Sequence, residues 1–136
     1  MNRYDALQMA ETFIKRFDAD LIRANLVGSF VRKHPEVNDV DILVISKRKF
    51  YHGPPLNIFY TTEQDWSNAI MHWSIGKAII QYKARAKALN YKLSVHGLYR
   101  GHKLVASDAR EICKLLRKPF PSVADEVLDE GFGKLK

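Results

Sequence analysis

The stretch LVGSFVRKHPEVNDVDILVI, residues 26–45, holds two apolar runs that are separated by polar and turn-forming residues. Leu26-Val27 leads into Gly28-Ser29, and the second run, from Val40 to Ile45, is rich in β-branched side chains. Runs of this kind on either side of a turn signal such as His34-Pro35 are typical of consecutive β-strands. The stretch therefore predicts strand, turn, strand.

Two carboxylates, Asp39 and Asp41, are separated by one residue at the start of the second run. Side chains alternate across a strand, so both carboxylates should lie on one face, a few ångströms apart. Two like charges held this close are unfavourable unless a cation neutralises them, and hard oxygen ligands suit Mg²⁺ that is shared with substrate phosphates. The spacing predicts a site for a metal–nucleotide complex.

Gly28, Ser29 and Arg32 supply groups that suit phosphate binding. A glycine has no Cβ to block a close approach to the backbone, and backbone N–H groups and a serine hydroxyl can donate to phosphate oxygens. Arg32 adds a permanently charged, planar set of donors. We expect these three residues to bind the phosphates of a nucleotide.

Further along the chain, the sequence pattern predicts a mixture of helices and strands. An amphipathic helix should occupy about the first eighteen residues, and Leu56–Tyr60 should form a third strand. A helix should begin near Thr62 and Asp65, and another should run from about Gly76 to Leu89. In that second helix Ile79, Ile80 and Ala84, with Tyr82 as a further candidate, should point inward, and Lys83 and Lys87 should share the outer face.

The C-terminal third should contain a hairpin-like pair of strands and one more helix. The strands are predicted at 92–95 and 99–105, around His96-Gly97. Asp108 and Glu111 form a capping signal for a helix that ends near Arg117, before two prolines. We expect the last six residues, 131–136, to be a loose tail.

Composition limits the function further. The net charge of +7 and the pI near 9.6 suit a polyanionic partner. With one cysteine, Cys113, the chain can form no internal disulfide and no cysteine-based zinc site. No apolar run approaches the length of a membrane span, and the N-terminus lacks the apolar core of a signal peptide, so we expect an intracellular protein without a membrane partner.

Gly28-Ser29, followed by Asp39-Val40-Asp41 with ten residues from Ser29 to Asp39, resembles the motif of DNA polymerase beta-like (family X) nucleotidyltransferases. Leu56–Phe59 is similar to the third catalytic strand of that family. Residues 69–76 resemble its sugar-contacting aromatic and the turn that follows. Residues 83–116 resemble its C-terminal nucleotide-selection subdomain.

The resemblance implies an α+β fold in two parts. Residues 1–62 would form the nucleotidyltransferase palm, a small mixed sheet with helices on one face. Residues 63–136 would form a small α/β, thumb-like C-terminal subdomain. No lyase domain or helix-hairpin-helix module fits ahead of Gly28.

The resemblance also implies a reaction, in which a DNA 3′-hydroxyl attacks the α-phosphate of a dNTP by two-metal phosphoryl transfer. Asp39 and Asp41 would hold Mg²⁺, with Mn²⁺ as a substitute. Ser29 and Arg32 would hold the β- and γ-phosphates, and Gly28 would let them approach. His72 and Trp73 would lie under the sugar, although an ordinary core tryptophan fits the pattern equally well.

Asn57 departs from the family pattern because it occupies the position of the third catalytic carboxylate. A neutral amide is a poor metal ligand and cannot accept the proton of the 3′-hydroxyl. Asn57 still belongs to the expected catalytic set. Glu63 and Asp65 are the nearest carboxylates in sequence that could compensate.

Three hypotheses follow for the function. The first is a polymerase-type enzyme that adds deoxynucleotides to DNA ends, and the second is a non-catalytic relative that binds nucleotides or nucleic acid. The third is the small nucleotidyltransferase partner of a toxin–antitoxin system, and the segment from Trp66 to Leu116 argues against it because such minimal proteins lack this C-terminal subdomain. Nucleic acid, with DNA expected and RNA left open, should contact the basic residues Lys77, Lys83, Arg85, Lys87 and Arg100.

Overall fold

The computed structural model describes residues 1–130, so the tail expected at 131–136 lies outside the described residues. In chain order the elements are α1 (Arg3–Arg16), β1 (Leu21–Val27), β2 (Val40–Ser46), β3 (Leu56–Tyr60), α2 (Trp66–Ser74), α3 (Ile79–Ala88), β4 (Lys92–Ser94), β5 (Gly97–Arg100), β6 (Lys103–Ala106), α4 (Ala109–Leu116) and α5 (Ser122–Glu130). The fold is α+β, as predicted.

The first sheet has the strand order β1-β2-β3 and is mixed, because β2 runs antiparallel to β1 and parallel to β3. The register pairs Val27 with Asp41 and Asp41 with Asn57. These three residues thus form one row across the sheet, at the end of β1 and near the start of the other two strands. The row places the candidate site at this edge of the sheet.

Both faces of β2 are buried from Ile42 to Ile45, which explains the uninterrupted apolar run after Asp41. Val44 and Tyr60 are paired neighbours on one face of the sheet. On that face the ring of Phe50 stacks on Tyr60 and packs edge-to-face against Phe13 of α1. On the opposite face, Trp73 of α2 stacks on Phe59. The first sheet therefore has α1 on one face and α2 on the other. Helix α1 belongs to residues 1–62, whereas α2 belongs to the stretch predicted to be the second subdomain.

The second sheet has three antiparallel strands in the order β4-β5-β6. The sequence had predicted only a pair of strands here, with 99–105 as a single strand. A turn at Gly101, with φ +61°, divides that segment into β5 and β6. Glycine adopts this left-handed conformation at little cost, so the turn is local chemistry that the prediction overlooked.

The inner face of α3 also differs from the prediction. Tyr82, the further candidate, is buried as expected together with Ala86, whereas Ile80 is 64% exposed and Ala84 is exposed too. The Tyr82 hydroxyl donates to the carbonyl of Pro119 at 2.8 Å, which fixes this face against the chain after α4. A contact 37 residues away in sequence decides the orientation of a helix whose own pattern is weak.

Helix α4 has the predicted cap, since the Asp108 side chain accepts from the N–H of Glu111, and it ends at Arg117 in a left-handed conformation. Helix α5 was not predicted. It packs against α2, and Lys33 forms a 3.2 Å ion pair with Glu126 of α5, so α5 ties the end of the described chain to the turn after β1. In the described part of the chain, no helix combines the length and apolar character that a membrane crossing requires.

Candidate active site

Asp41 and Asn57 are direct neighbours at the edge of the first sheet. The Asn57 amide nitrogen donates to Oδ1 of Asp41 at 3.0 Å. Asp39 is exposed, one residue ahead of β2, and close enough for its charge to act on Asp41. The predicted set of Asp39, Asp41 and Asn57 is therefore brought together, with two carboxylates and one amide.

Gly28 begins the turn after β1 with a φ of +73°. A Cβ built on Gly28 would overlap Oδ2 of Asp41. From the sequence, the close approach of a phosphate was the expected reason for this glycine. The structure shows a steric reason within the protein itself, because only a residue without a side chain leaves room for the Asp41 carboxylate against the turn.

The Asp41 carboxyl is held in a setting that disfavours its charge. Burial is the main cause that raises the pKa of Asp41, and the neighbouring Asp39 charge adds to it. The hydrogen bond from Asn57 and the charge of Arg32 lower that pKa but do not outweigh burial. A cation bound by Asp39 and Asp41 would relieve this cost.

We expect Asp41→Asn to raise the melting temperature of the ligand-free chain at pH 7 by about 2–8 °C. The folded pKa of Asp41 lies above its unfolded value, so the penalty for the carboxylate grows as the pH rises through the unfolded pKa and is complete above the folded pKa. The gain should shrink as the pH falls and the native Asp41 takes up a proton. Thermal unfolding between about pH 4 and 8 measures it. Asp39→Asn, at an exposed site, is the control with a smaller expected gain, and equal melting temperatures for Asp41→Asn and the unmodified chain at every pH would contradict the prediction.

Arg32 lies between the Gly28 turn and the end of α2. One Nη1 hydrogen of Arg32 points to the carbonyl of Ser74, with a distance of 3.2 Å between the heavy atoms. A Cβ on Gly76, where φ is +62°, would lie 3.1 Å from Cζ of Arg32. Ser29 lies in the same turn, and its carbonyl accepts from the N–H of His34 at 3.4 Å. The two predicted phosphate-binding side chains thus start from one turn beside Asp41.

Trp73 is not an ordinary core tryptophan, because it is 38% exposed. Its ring stacks on Phe59, with 3.9 Å between ring centroids and 14° between ring planes. Phe59 lies two residues beyond Asn57 on the same strand, and alternation puts both on one face. Trp73 therefore presents a partly open ring beside the Asp41 site.

His72 and Trp73 line a cavity of about 380 Å³, together with Ile79, Lys83, Ser94 and Val95. Burial, followed by the charge of Lys83, lowers the pKa of His72 to about 4, so its imidazole is neutral at pH 7. Among the described residues, Nε2 of His72 is buried without a hydrogen-bond partner. A neutral imidazole with an unused polar atom suits contact with an uncharged part of a ligand.

The five basic residues expected to bind nucleic acid are not equivalent. Lys77, Lys83 and Lys87 are exposed along the start and outer side of α3. Arg85 donates from Nε to the carbonyl of Leu116 at 2.9 Å, which ties α3 to α4. Arg100 lies 4.2 Å over the Tyr91 ring. The lysines are surface cations, whereas the two arginines also hold parts of the fold together.

Neither compensating carboxylate lies at the site. Glu63 pairs with Arg23 at 3.2 Å, and Arg23 is opposite Ile45, four residues along β2 from Asp41. Asp65 pairs with His96 at 3.1 Å. Because β3 runs parallel to β2, the chain after β3 leaves from the far end of the sheet. That direction is the reason why these carboxylates, near in sequence, are distant in space.

The donors present fit one divalent cation better than two. In residues 1–130, no three His, Cys, Asp or Glu side chains converge in a way that could hold a metal ion. Two carboxylates with nucleotide phosphates can complete an octahedral Mg²⁺ site, which needs few protein ligands. A second ion would need a further carboxylate, and Asn57 brings a neutral amide next to Asp41.

Two features that support the site were not predicted. The first is Phe59, whose ring stacks on Trp73. Strand alternation would have predicted that Phe59 lies on the same face as Asn57. Asn68 is buried on α2, and its amide donates to the carbonyls of Ser94 and Val95 at 2.8 and 3.1 Å, which fixes β4 beside the His72 cavity. A polar residue on the apolar face of a helix was the available signal.

This architecture is the polymerase beta-like nucleotidyltransferase fold, which confirms the resemblance at the level of the fold. The chain is similar to a crystal structure of Leishmania infantum polymerase beta, described as a ternary P/T complex, with a TM-score of 0.73 and 11% sequence identity. The match covers 92% of this chain and 76% of that chain. No protein-family model and no curated protein sequence matches.

Proposed function

We propose that this chain is a nucleotidyltransferase that binds a dNTP with Mg²⁺ and adds the nucleotide to the 3′ end of DNA at a low rate. The observation that carries the proposal is the Asp41 carboxylate, which is packed against the Gly28 turn next to Asp39 and keeps a poorly neutralised charge. The similar polymerase beta structure is a ternary P/T complex, which supports nucleotide and DNA as ligands of this fold.

In this proposal each side chain has a separate role. Asp39 and Asp41 hold the metal ion, which would supply charge neutralisation at the phosphates when bound. Ser29 and Arg32 hold the β- and γ-phosphates, and the open ring of Trp73, beside His72, supports the sugar. Residues 1–62 act as the palm and residues 63–136 as the nucleotide-selection subdomain, with α2 packed on the palm sheet.

The reaction forms a bond between the 3′-oxygen and the α-phosphorus and breaks the bond between that phosphorus and the β-phosphate oxygen, so pyrophosphate leaves. The 3′-hydroxyl proton needs an acceptor. The Asn57 amide is too weakly basic to accept it, and Asp39 and Asp41 are assigned to the metal ion, so in this proposal the proton passes to solvent. A missing general base typically costs about 10²- to 10⁴-fold, which is why we propose a low rate.

The Asn57 hydrogen bond also favours a second candidate, a protein that binds nucleotide and nucleic acid without transfer. The amide holds one Asp41 oxygen at 3.0 Å and compensates part of its charge without a metal ion. In that case nucleotide binding remains and incorporation is absent.

Primer extension separates these two candidates. The assay uses a DNA primer–template with Mg²⁺ and, separately, with Mn²⁺, beside Asp39→Ala. The proposal predicts slow incorporation that Asp39→Ala removes. Incorporation that is unchanged in Asp39→Ala would refute the site. No incorporation by a chain that binds dNTP would establish the second candidate.

Under either candidate, we expect weak, salt-sensitive binding to duplex DNA through the exposed lysines of α3. Counterion release gives a slope of about −0.9 in log affinity against log salt for each phosphate contacted, so three or four contacts give a slope near −3. Fluorescence anisotropy over a salt series measures it. Lys83→Ala should reduce the magnitude of the slope by about 0.9, while Lys15→Ala on α1 should leave the slope unchanged. A flat profile would show the prediction to be wrong.

A further inference from the structure

The net charge of the chain is concentrated in one segment. Residues 76–107 contain seven lysines and arginines and no aspartate or glutamate. This equals the net charge of +7 for the whole sequence, and the rest of the chain is balanced, with fifteen basic and fifteen acidic residues. The segment forms α3 and the second sheet. The lysines of α3 and Arg100 of the sheet were already expected to contact nucleic acid, and the concentration of the whole net charge in this segment adds to that expectation.

The second sheet has one buried face and one outer face. Leu93 pairs with Leu98, and both are buried against the helices. Side chains alternate along each strand, so the residues next to this buried pair point outward. On the outer face Tyr99 of β5 lies between Lys92 of β4 and Leu104 of β6. Lys92 is exposed and Leu104 is 37% exposed. The outer face therefore has an aromatic ring at its centre with a cation directly beside it.

A cleft of about 380 Å³ lies on this face, lined by Lys92, Ser94, His96, Tyr99, Gly101 and His102. The lining includes no carboxylate, although Asp65 reaches Nδ1 of His96 at 3.1 Å from the start of α2. Ser94 lines both this cleft and the cavity of His72, Trp73 and Lys83. The two openings are therefore adjacent, and a chain-like ligand could pass from one to the other.

We propose that the outer face of the second sheet binds single-stranded nucleic acid, with one base stacked on Tyr99 and the neighbouring phosphate at Lys92. Proteins that bind single strands combine a basic groove with aromatic side chains on which bases stack. A cleft of this size admits a base but not a duplex. The hydroxyl of Ser94 and the ring of His102 are further hydrogen-bonding groups for the strand.

This site goes beyond the proposed transfer reaction, because it needs neither metal nor nucleoside triphosphate. It would serve a catalytic chain as a track for an unpaired strand, and a non-catalytic chain as its main nucleic-acid contact. A binding assay without nucleotide and with EDTA therefore tests it separately from the Asp41 site.

The test is fluorescence anisotropy with labelled oligo(dT) of about 12 nucleotides and, for comparison, a blunt duplex of the same length. Tyr99→Ala should weaken single-strand binding by about 5- to 100-fold, while Tyr99→Phe retains it because the ring remains. Lys92→Ala should reduce the magnitude of the salt slope by about 0.7. Tyr51→Ala and Lys114→Ala, both at exposed sites on other surfaces, should have little effect.

Lys92→Glu at an exposed position keeps the test decisive if Tyr99→Ala fails to fold, since it should also weaken single-strand binding. Unchanged single-strand affinity in a folded Tyr99→Ala or in Lys92→Glu would overturn the proposal. In Tyr99→Ala, an equal loss of affinity for the blunt duplex or for heparin, which has no bases to stack, would overturn it too. A loss confined to the single strand supports it.

Discussion

Asn57→Asp should raise the rate of nucleotide incorporation by about a hundredfold or more. The Asn57 amide already lies 3.0 Å from Asp41, so an aspartate of the same size would bring a third carboxylate to the pair of Asp39 and Asp41. That group could accept the 3′-hydroxyl proton, and a positioned general base is typically worth about 10²- to 10⁴-fold. Single-turnover incorporation with saturating dNTP and Mg²⁺ measures the gain.

Glu63→Ala is the matched control, because Glu63 lies at the far end of the sheet in an ion pair with Arg23. We expect it to leave incorporation unchanged, both in the unmodified chain and when it is combined with Asn57→Asp. If Asn57→Asp has no effect on a chain that is already active, the assignment of β3 as the third catalytic strand is wrong. If both forms are inert but bind dNTP, the non-catalytic candidate is correct.

Arg32→Ala should weaken dNTP binding by one to two orders of magnitude. A charge-assisted hydrogen bond contributes about 1.5–3 kcal/mol, which corresponds to this loss in affinity. Arg32 uses one hydrogen bond to hold the Ser74 carbonyl and lies against Gly76, so its guanidinium is fixed in place before a ligand arrives. Titration calorimetry with a dNTP and Mg²⁺ gives the affinity directly.

Arg32→Lys keeps the charge but not the planar set of donors, and it should recover only part of the affinity. Arg23→Ala, at the other end of β1, removes an arginine from a site far from Asp41 and should not change binding. An unchanged affinity in a folded Arg32→Ala would remove Arg32 from the phosphate-binding set.

The sequence was sufficient to predict the first sheet and its row of polar side chains. The apolar runs on both sides of the Gly28 turn predicted two strands that meet at the turn, and the third strand brought Asn57 to the same edge as Asp41. The reason for Gly28 was harder to predict. It depends on the overlap that a Cβ would have with Oδ2 of Asp41, and such a contact follows from the sheet register rather than from the local sequence.

The errors come from contacts between distant segments. The inner face of α3 is set by Tyr82, whose hydroxyl donates to the carbonyl of Pro119, and the local pattern alone had placed Ile80 and Ala84 on that face as well. Helix α5 is short and follows two prolines, and it is held by pairs such as Lys33–Glu126 that no local signal encodes. Glu63 was a candidate for the site only because the direction of β3 relative to β2 was unknown.

The central claim is that Asp39 and Asp41 form a metal-dependent nucleotide site, and calorimetric titration of dATP with Mg²⁺ and with EDTA tests it most directly. We predict saturable binding with Mg²⁺ that is lost in EDTA and is at least about tenfold weaker in Asp41→Asn, even though that variant is more stable. Equal dATP affinity with Mg²⁺ and with EDTA, or in the unmodified chain and Asp41→Asn, would contradict the claim.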